Sequence, residues 1–435
     1  MEIREELREL ASLIKKKGHT LYIVGGFVRD SILGLKTDDI DIASSMPYEK
    51  VIEICEKNKF TAKTINKTLG TIQIIKNGLR LEYTQFRKES YSRSAMHSPD
   101  YVEFVDDIET DYRRRDLTIN AIYYDILEDK FVDKCNGLND IERGVIRTAN
   151  IPAVTLRDDG LRLLRVVRFS SSLNFKVDRK TAAAVKRNRA NLNYISKERI
   201  QKEISQIAVA DLKYNRPNTK GLKLIVKYGL LPYIFNSRLK SIGHITRKDI
   251  KDFYTLSKDA RLIGLYFLIL KRYLKVFTKD QYLMFSCNML FGLDGMKESK
   301  SNIATTEKLY RIYQNLTYNN DTMTASINYL TLSTAEREII DLHLSKKTKT
   351  VLSVNIAVIK HNNLPLSVHE LPIKGDDLIA AGIDNKYISK ILSSLYNQVL
   401  SMAVKNSKDD LLARAKEINE TFTNLSKEID KNTSK

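Results

Sequence analysis

GGFVRDSILGLKTDDIDIAS (25–44) puts a glycine pair, an Arg-Asp and an Asp-Ile-Asp within one short span. Acidic and apolar residues alternate through Asp39, Ile40, Asp41 and Ile42, which predicts a strand with Asp39 and Asp41 side by side on one face. Carboxylates so placed want a cation. Upstream, LYIV (21–24) is a short apolar run that ends at Gly25 and Gly26. A helix starting near Val28 would leave backbone N–H groups bare where the chain turns, and such groups suit a phosphate.

Working outward, Ile3, Leu7, Leu10 and Ile14 mark an amphipathic first helix that stops near Gly18. Strand patterns follow in DIDIA, TIQIIK (71–76), LRLEYTQF (79–86) and YVEFV (101–105), with Asn77-Gly78 as a hairpin turn between the second and third. A sheet that sets LRLEYTQF beside Asp39-Ile40-Asp41 would bring in Glu82 as a third carboxylate, enough for two divalent ions. Alone, an Asp-x-Asp pair is as well explained by a solvated surface or a cap; the glycine lead-in and Glu82 favour the cation site.

From residue 156 onward helical spacing dominates, with one further strand pattern in TVLSVNIAV (350–358). The fold class expected is therefore α+β: a small sheet-bearing head on a long helical remainder. Composition shifts at 236–249 and 345–350 mark candidate junctions.

The 435 residues are 43% hydrophobic and 29% charged, enough for two or more packed domains and too apolar for disorder. Lys and Arg number 72 against 53 Asp and Glu, a net charge of +19 that favours a polyanionic partner such as nucleic acid. Three cysteines without CxxC spacing argue against a disulfide framework or a zinc knuckle. The start MEIREELREL has no apolar signal core, and LIGLYFLIL (262–270) is about half the length of a span, so it reads as a buried helix and no membrane is expected. The expected location is the cytosol. Nothing in the sequence sets an oligomeric state.

Two more stretches carry chemistry. YRRRDLTINA (112–121) has helical propensity, and its Arg115, Asp116 and Asn120 could share one pocket. Arginine suits phosphate oxygens, while carboxylate and amide groups bond ribose hydroxyls; the rival reading is an i,i+4 network on a solvated helix. RDDGLRLLRVVRF (157–169) reads as one amphipathic helix whose Asp159, Arg162, Arg165 and Arg168 recur every third residue as a polar ridge. Cytosine and adenine both present an amino donor beside a ring-nitrogen acceptor, and guanine and uracil present the reverse order. Asp159 can accept and Arg162 can donate to that edge. The alternative for Arg165 and Arg168 is a basic face lying on nucleic acid or solvent.

Taken together these residues resemble the class II CCA-adding enzymes and bacterial poly(A) polymerases of the DNA polymerase β-like nucleotidyltransferase superfamily. GGFVRD with DDIDIA is similar to the first motif of that family, and RRRDLTINA to its RRDFTINA ribose motif. RDDGLRLLRVVRF is similar to its base-recognition motif EDxxRxxRxxRF, and SKERIQKE (196–203) to its ERxxxE helix. The four motifs cover about the first 205 residues, and LPIKGDDLIAAGI (371–383) resembles the tail of Bacillus-type members.

The resemblance implies a nucleotidyltransferase head at 1–150, a neck at 151–210, a helical body at 211–345 and a tRNA-binding tail at 346–435. It implies Asp39 and Asp41 as Mg²⁺ ligands, with Glu82 as the third catalytic carboxylate. Gly25, Gly26 and Arg29 would hold triphosphate, and Arg115, Asp116 and Asn120 would lie near phosphate and ribose. Asp159 and Arg162 would read the base, Arg165 and Arg168 would complete the nucleotide site, and Glu198, Arg199 and Glu203 would brace the neck. The substrates implied are tRNA, CTP and ATP, and the activity is template-independent CCA addition. The alternatives are A-adding, CC-adding or poly(A)-adding activity, or a catalytically silent RNA-binding protein. The sequence departs from the pattern at Asp158, where Glu is usual, and at Leu117, where Phe is usual. The loop YSRSAMHSPD (91–100) is longer than the usual form and lacks its arginine near the proline, which Arg93 would have to replace.

Overall fold

The computed structural model describes residues 3–37, 39–91, 99–235, 244–274, 283–292, 295–318 and 321–433. Arg93 and most of the loop around it, and residues 236–243 of one candidate junction, lie outside them. The chain divides into two compact units, Met1–Ile303 and Ala304–Lys435.

The first unit opens with α1 (Glu5–Lys15), which buries Leu7, Leu10, Ala11 and Ile14 at helical spacing. A mixed sheet follows. Its strands are β1 (Tyr22–Val24), β2 (Ile40–Ser44), β3 (Thr61–Asn66), β4 (Thr71–Lys76) and β5 (Leu79–Gln85), joined later in the chain by two more. Between β1 and β2 lies α2 (Gly26–Ile32), and between β2 and β3 lies α3 (Tyr48–Lys57). A two-stranded ribbon of β6 (Arg87–Ser90) and β7 (Tyr101–Phe104) leads to α4 (Ile108–Arg113), after which β8 (Ile122–Asp125) and β9 (Lys130–Asp133) complete the sheet. The strand order is β3-β4-β5-β2-β1-β8-β9. Within this sheet, among the described residues, only β2 and β5 pair in parallel, and their register sets Asp41 opposite Glu82.

The expected hairpin forms at Asn77-Gly78, where both residues have positive φ. The helix after the glycine pair starts at Gly26, two residues before the expected Val28. YRRRDLTINA is not a helix. α4 ends at Arg113, Leu117 is extended and bridges Thr148, and Thr118–Asn120 is a single 3-10 turn. The Asp116 carboxylate accepts from the Leu117 N–H at 2.8 Å, which supports a turn in place of a helix at this point.

Beyond the sheet, α5 (Gly137–Glu142) leads to α6 (Pro152–Asp158) and α7 (Leu161–Ser172), with α8 (Arg179–Asn188) and α9 (Lys197–Ala208) packed against them. The single helix expected over 157–169 is therefore broken at Asp159-Gly160. Asp159 is extended, with φ −135° and ψ 109°, and its carboxylate accepts from the Leu161 N–H at 2.8 Å, so it starts α7 instead of riding on it. Gly160 lies where an added Cβ would stand 2.8 Å from the Asn191 carbonyl oxygen, a tertiary contact that only glycine allows. LIGLYFLIL falls in the helix Arg261–Leu274, buried continuously from Gly264 to Leu270. None of the described helices is long and apolar enough to cross a membrane.

The second unit is helical around its own core of Ile327, Ile359, Leu371, Leu378, Ile391, Leu395 and Val399. TVLSVNIAV, expected as a strand, lies within the helix Lys346–His361. Ser345 caps that helix through the Thr348 N–H, and Thr348, Leu352 and Ile359 are buried at i, i+4 and i+11, so helical packing overrides the β-branched composition.

Candidate active site

Glycine at position 25 is required twice over. Its φ is +84°, and an added Cβ would stand 3.0 Å from Asp41 Oδ2. The turn thus lies directly against one strand carboxylate, and the first turn of α2 leaves N–H groups without intrahelical acceptors beside it. Asp39 precedes β2, and Asp41 is its second residue.

Around this turn is a cavity of about 500 Å³. The head lines it with Gly25, Gly26, Arg29, Asp39 and Asp41, and the segment after α4 adds Arg115, Asp116 and Asn120. Asp159, Arg162, Arg165 and Arg168 close the far side. Every residue given a catalytic or nucleotide-binding role from the sequence lines the cavity except Glu82, which is exposed and stands across the strand pair from Asp41.

Burial, together with the charges of Glu82 and Asp39, pushes the Asp41 carboxyl up to about 6, against the pull of Arg115 and Arg165. Partial desolvation and the neighbouring Asp39 raise Glu82 as well. Carboxylates that repel one another at a glycine turn fit a divalent cation, with Asp39 and Asp41 as the residues that would hold it. Because the folded-state value for Asp41 lies above the ordinary carboxylate value, its protonated form stabilises the fold below about pH 4, and that stability is lost as pH rises through 6. Chelator-treated Asp41→Asn protein should therefore be more stable than chelator-treated wild type at pH 8, by on the order of 2 kcal/mol, with the difference vanishing near pH 4. Thermal melting at the two pH values measures this, and equal melting curves at pH 8 would contradict it.

The arginines are not loose charges. Arg29, 3% exposed, donates from Nε to Asp30 Oδ1 at 2.8 Å and from Nη1 to Asn120 Oδ1 at 2.6 Å. Asn120 in turn donates to Asp116 Oδ1 at 3.2 Å, and Arg165 Nε donates to Asp116 Oδ2 at 2.6 Å. Burial opposes the Asp116 charge, but Arg165, Arg162 and Asn120 together outweigh it and hold the carboxyl at about 2. Arg115 donates to Tyr123 Oη at 2.9 Å and Asp111 Oδ2 at 3.1 Å. Arg168 pairs with Glu203 at 2.8 Å, so the ERxxxE helix reaches the site through its last glutamate, while Glu198 pairs outward with Lys297. Phe169 lies under three guanidinium groups, with Arg29, Arg165 and Arg168 carbons 4.9, 5.5 and 4.5 Å from its ring centre.

Arg162 donates from Nη1 to the Thr155 carbonyl at 3.2 Å and from Nη2 to the Arg114 carbonyl at 2.7 Å, with Nε 3.9 Å from Asp159 Oδ2. Burial raises the Asp159 carboxyl, with Arg162 opposing. The pair shares one wall of the cavity although the two are not on one helix.

Sequence reasoning missed several lining residues. Arg87 and Glu89 alternate on β6 and form a buried pair at 2.8 Å, which Arg114 joins at 3.5 Å. Their spacing in TQFRKES was the available signal. Lys213 also lines the cavity, and nothing in its local sequence marks it.

With this geometry in hand, comparison with known proteins is direct. A family model described as "Poly A polymerase head domain" matches residues 21–147, and one described as "Probable RNA and SrmB- binding site of polymerase A" matches residues 174–239. The CCA-adding enzyme of Streptococcus mutans is 30% identical over 426 residues, spanning 94% of this chain and 96% of its own. The chain belongs to the CCA-adding enzyme family. The family member from Ligilactobacillus salivarius is 42% identical over 190 residues, but that match spans only 44% of this chain and 46% of the relative. Among solved structures, the Bacillus stearothermophilus CCA-adding enzyme in complex with CTP aligns with a TM-score of 0.62 at 22% identity, covering 97% of this chain and 100% of that one. The Thermotoga maritima CCA-adding enzyme complexed with tRNA aligns with a TM-score of 0.66 at 19% identity, covering 96% of each. At these identities the likeness carries the fold: a nucleotidyltransferase head followed by helices.

Proposed function

We propose that the protein adds CCA to the 3′ end of tRNA from CTP and ATP without a template. The observation that carries this reading is the parallel register that sets Asp41 opposite Glu82 beside the Gly25 turn, with the base-side wall of Asp159 and Arg162 across the same cavity. Full-length kinship with the S. mutans enzyme supports it.

In this reading the turn at Gly25 and Gly26 cradles the triphosphate, and Arg115 adds a charge held ready by Asp111 and Tyr123. Asp116 and Asn120 face the ribose. Asp159 and Arg162 accept from and donate to the edge that cytosine and adenine share. A wrong base leaves buried polar groups unpaired, which discriminates far better than shape alone. Asp39 and Asp41 hold Mg²⁺, with Glu82 as the third carboxylate. When bound, the cation lowers the pKa of the attacking 3′-hydroxyl and neutralises the departing phosphates. The net charge of +19 suits the tRNA backbone. The head, neck, body and tail boundaries at 150, 210 and 345 remain part of this proposal, as does a tRNA-binding role for the tail.

The test is a set of tRNA transcripts ending before CC, at CC and at CCA, each incubated with CTP, ATP or both. Two cytidines from CTP alone on the first, one adenosine on the second and nothing on the third are expected. A run of adenosines on every transcript would mean a poly(A)-adding enzyme, and no product from any combination would mean a silent RNA-binding protein.

A further inference from the structure

Resting on that reading of the site, we propose that Tyr214, a residue outside every motif, is a positioning residue for nucleotide binding: its hydroxyl fixes the Asp30–Arg29 pair behind the glycine turn.

Tyr214 follows the 3-10 turn Ala210–Leu212, beyond the end of α9. Its hydroxyl donates to Asp30 Oδ2 at 2.8 Å, across 184 positions of sequence. Asp30 is 2% exposed, and its other oxygen receives Arg29 Nε at 2.8 Å and lies 2.7 Å from Arg29 Nη2. Arg29 Nη1 is left for Asn120, and Asn120 holds Asp116. A buried line of hydrogen bonds thus runs from Tyr214 to the carboxylate that orients Arg165.

Removing the hydroxyl strips the donor from one oxygen of a buried carboxylate, a costly state. The carboxylate can recover a donor by turning so that both its oxygens meet the side of the Arg29 fork. The hydroxyl also accepts from Arg29 Nη2 at 3.4 Å, so its loss frees the guanidinium that bonds Asn120 and lies over the Phe169 ring. The disturbance therefore falls on the nucleotide wall. Tyr214 also anchors the segment carrying Lys213, which lines the same cavity.

Tyr214→Phe removes one oxygen and keeps the ring. Calorimetric titration should show its affinity for CTP and for ATP reduced about tenfold, the effect of one lost hydrogen bond to a charged group. Its tRNA affinity should match wild type, while its melting temperature falls by a few degrees, the cost of a buried carboxylate oxygen losing its donor. In an Asp30→Asn background the tyrosine change should cost little further, because both act through one hydrogen bond. Unchanged CTP affinity in Tyr214→Phe would overturn the proposal. So would CTP affinity and tRNA affinity falling together, since that marks a structural brace only. If wild type binds CTP yet extends no tRNA, the assigned reaction fails, and the CTP affinities still decide the role of Tyr214.

Discussion

Asp39→Ala and Asp41→Ala should each reduce nucleotide incorporation by about a thousandfold or more while leaving tRNA affinity within a few-fold of wild type. Each change removes a carboxylate that would hold the cation, and neither residue belongs to the apolar core. The Asp41 change also removes a carboxylate whose charge is opposed by burial and then by Glu82 and Asp39, which push it up to about 6, so the inactive variant should be no less stable than wild type at neutral pH. Lost activity in a protein with undiminished stability separates a catalytic role from a structural one. Primer extension beside filter binding measures both quantities, and near-normal turnover in either variant would defeat the cation-site reading.

Arg162→Ala is expected to raise the KM for CTP and ATP by about tenfold or more and to relax rejection of UTP and GTP. The structure gives this residue two tasks. Its Nη groups tie the Thr155 and Arg114 carbonyls together, and its remaining nitrogen faces Asp159. Alanine would take the donor from the buried Thr155 carbonyl and the partly buried Arg114 carbonyl and remove the base-side donor at once. Arg162→Lys should rescue little, because one ammonium cannot reproduce a planar fork that bonds two carbonyls while facing Asp159. Extension assays with each nucleotide alone give the comparison, and unchanged selectivity among the four would count against the base-reading pair.

The catalytic strand pair was legible because its signals are local. Alternation in DIDIA, the Asn77-Gly78 turn and alternation in LRLEYTQF together specify faces, while the parallel register of the pair is visible only in the structure. β8 was not legible because all four of its residues are buried, so it shows no alternation. The break at Asp159-Gly160 was hidden for a different reason. The arginine spacing continues unbroken through 162, 165 and 168, while the cause of the break is the Asn191 carbonyl packed against Gly160. The candidate residues other than Glu82 nonetheless converge on one cavity, because chemistry at a site depends on where side chains meet and not on which element carries them. Tyr214 and Lys213 illustrate the limit. They reach the site from a segment whose local sequence has no motif, and only the packing of that segment against α2 brings them there.

In the proposed function the protein itself selects the order of nucleotides. The most direct measurement is to offer a tRNA lacking its 3′ terminus all four nucleotides at equal concentration and sequence the added residues. The account predicts C, then C, then A, followed by arrest. Addition of U or G at a comparable rate, or a homopolymer of A, would contradict it.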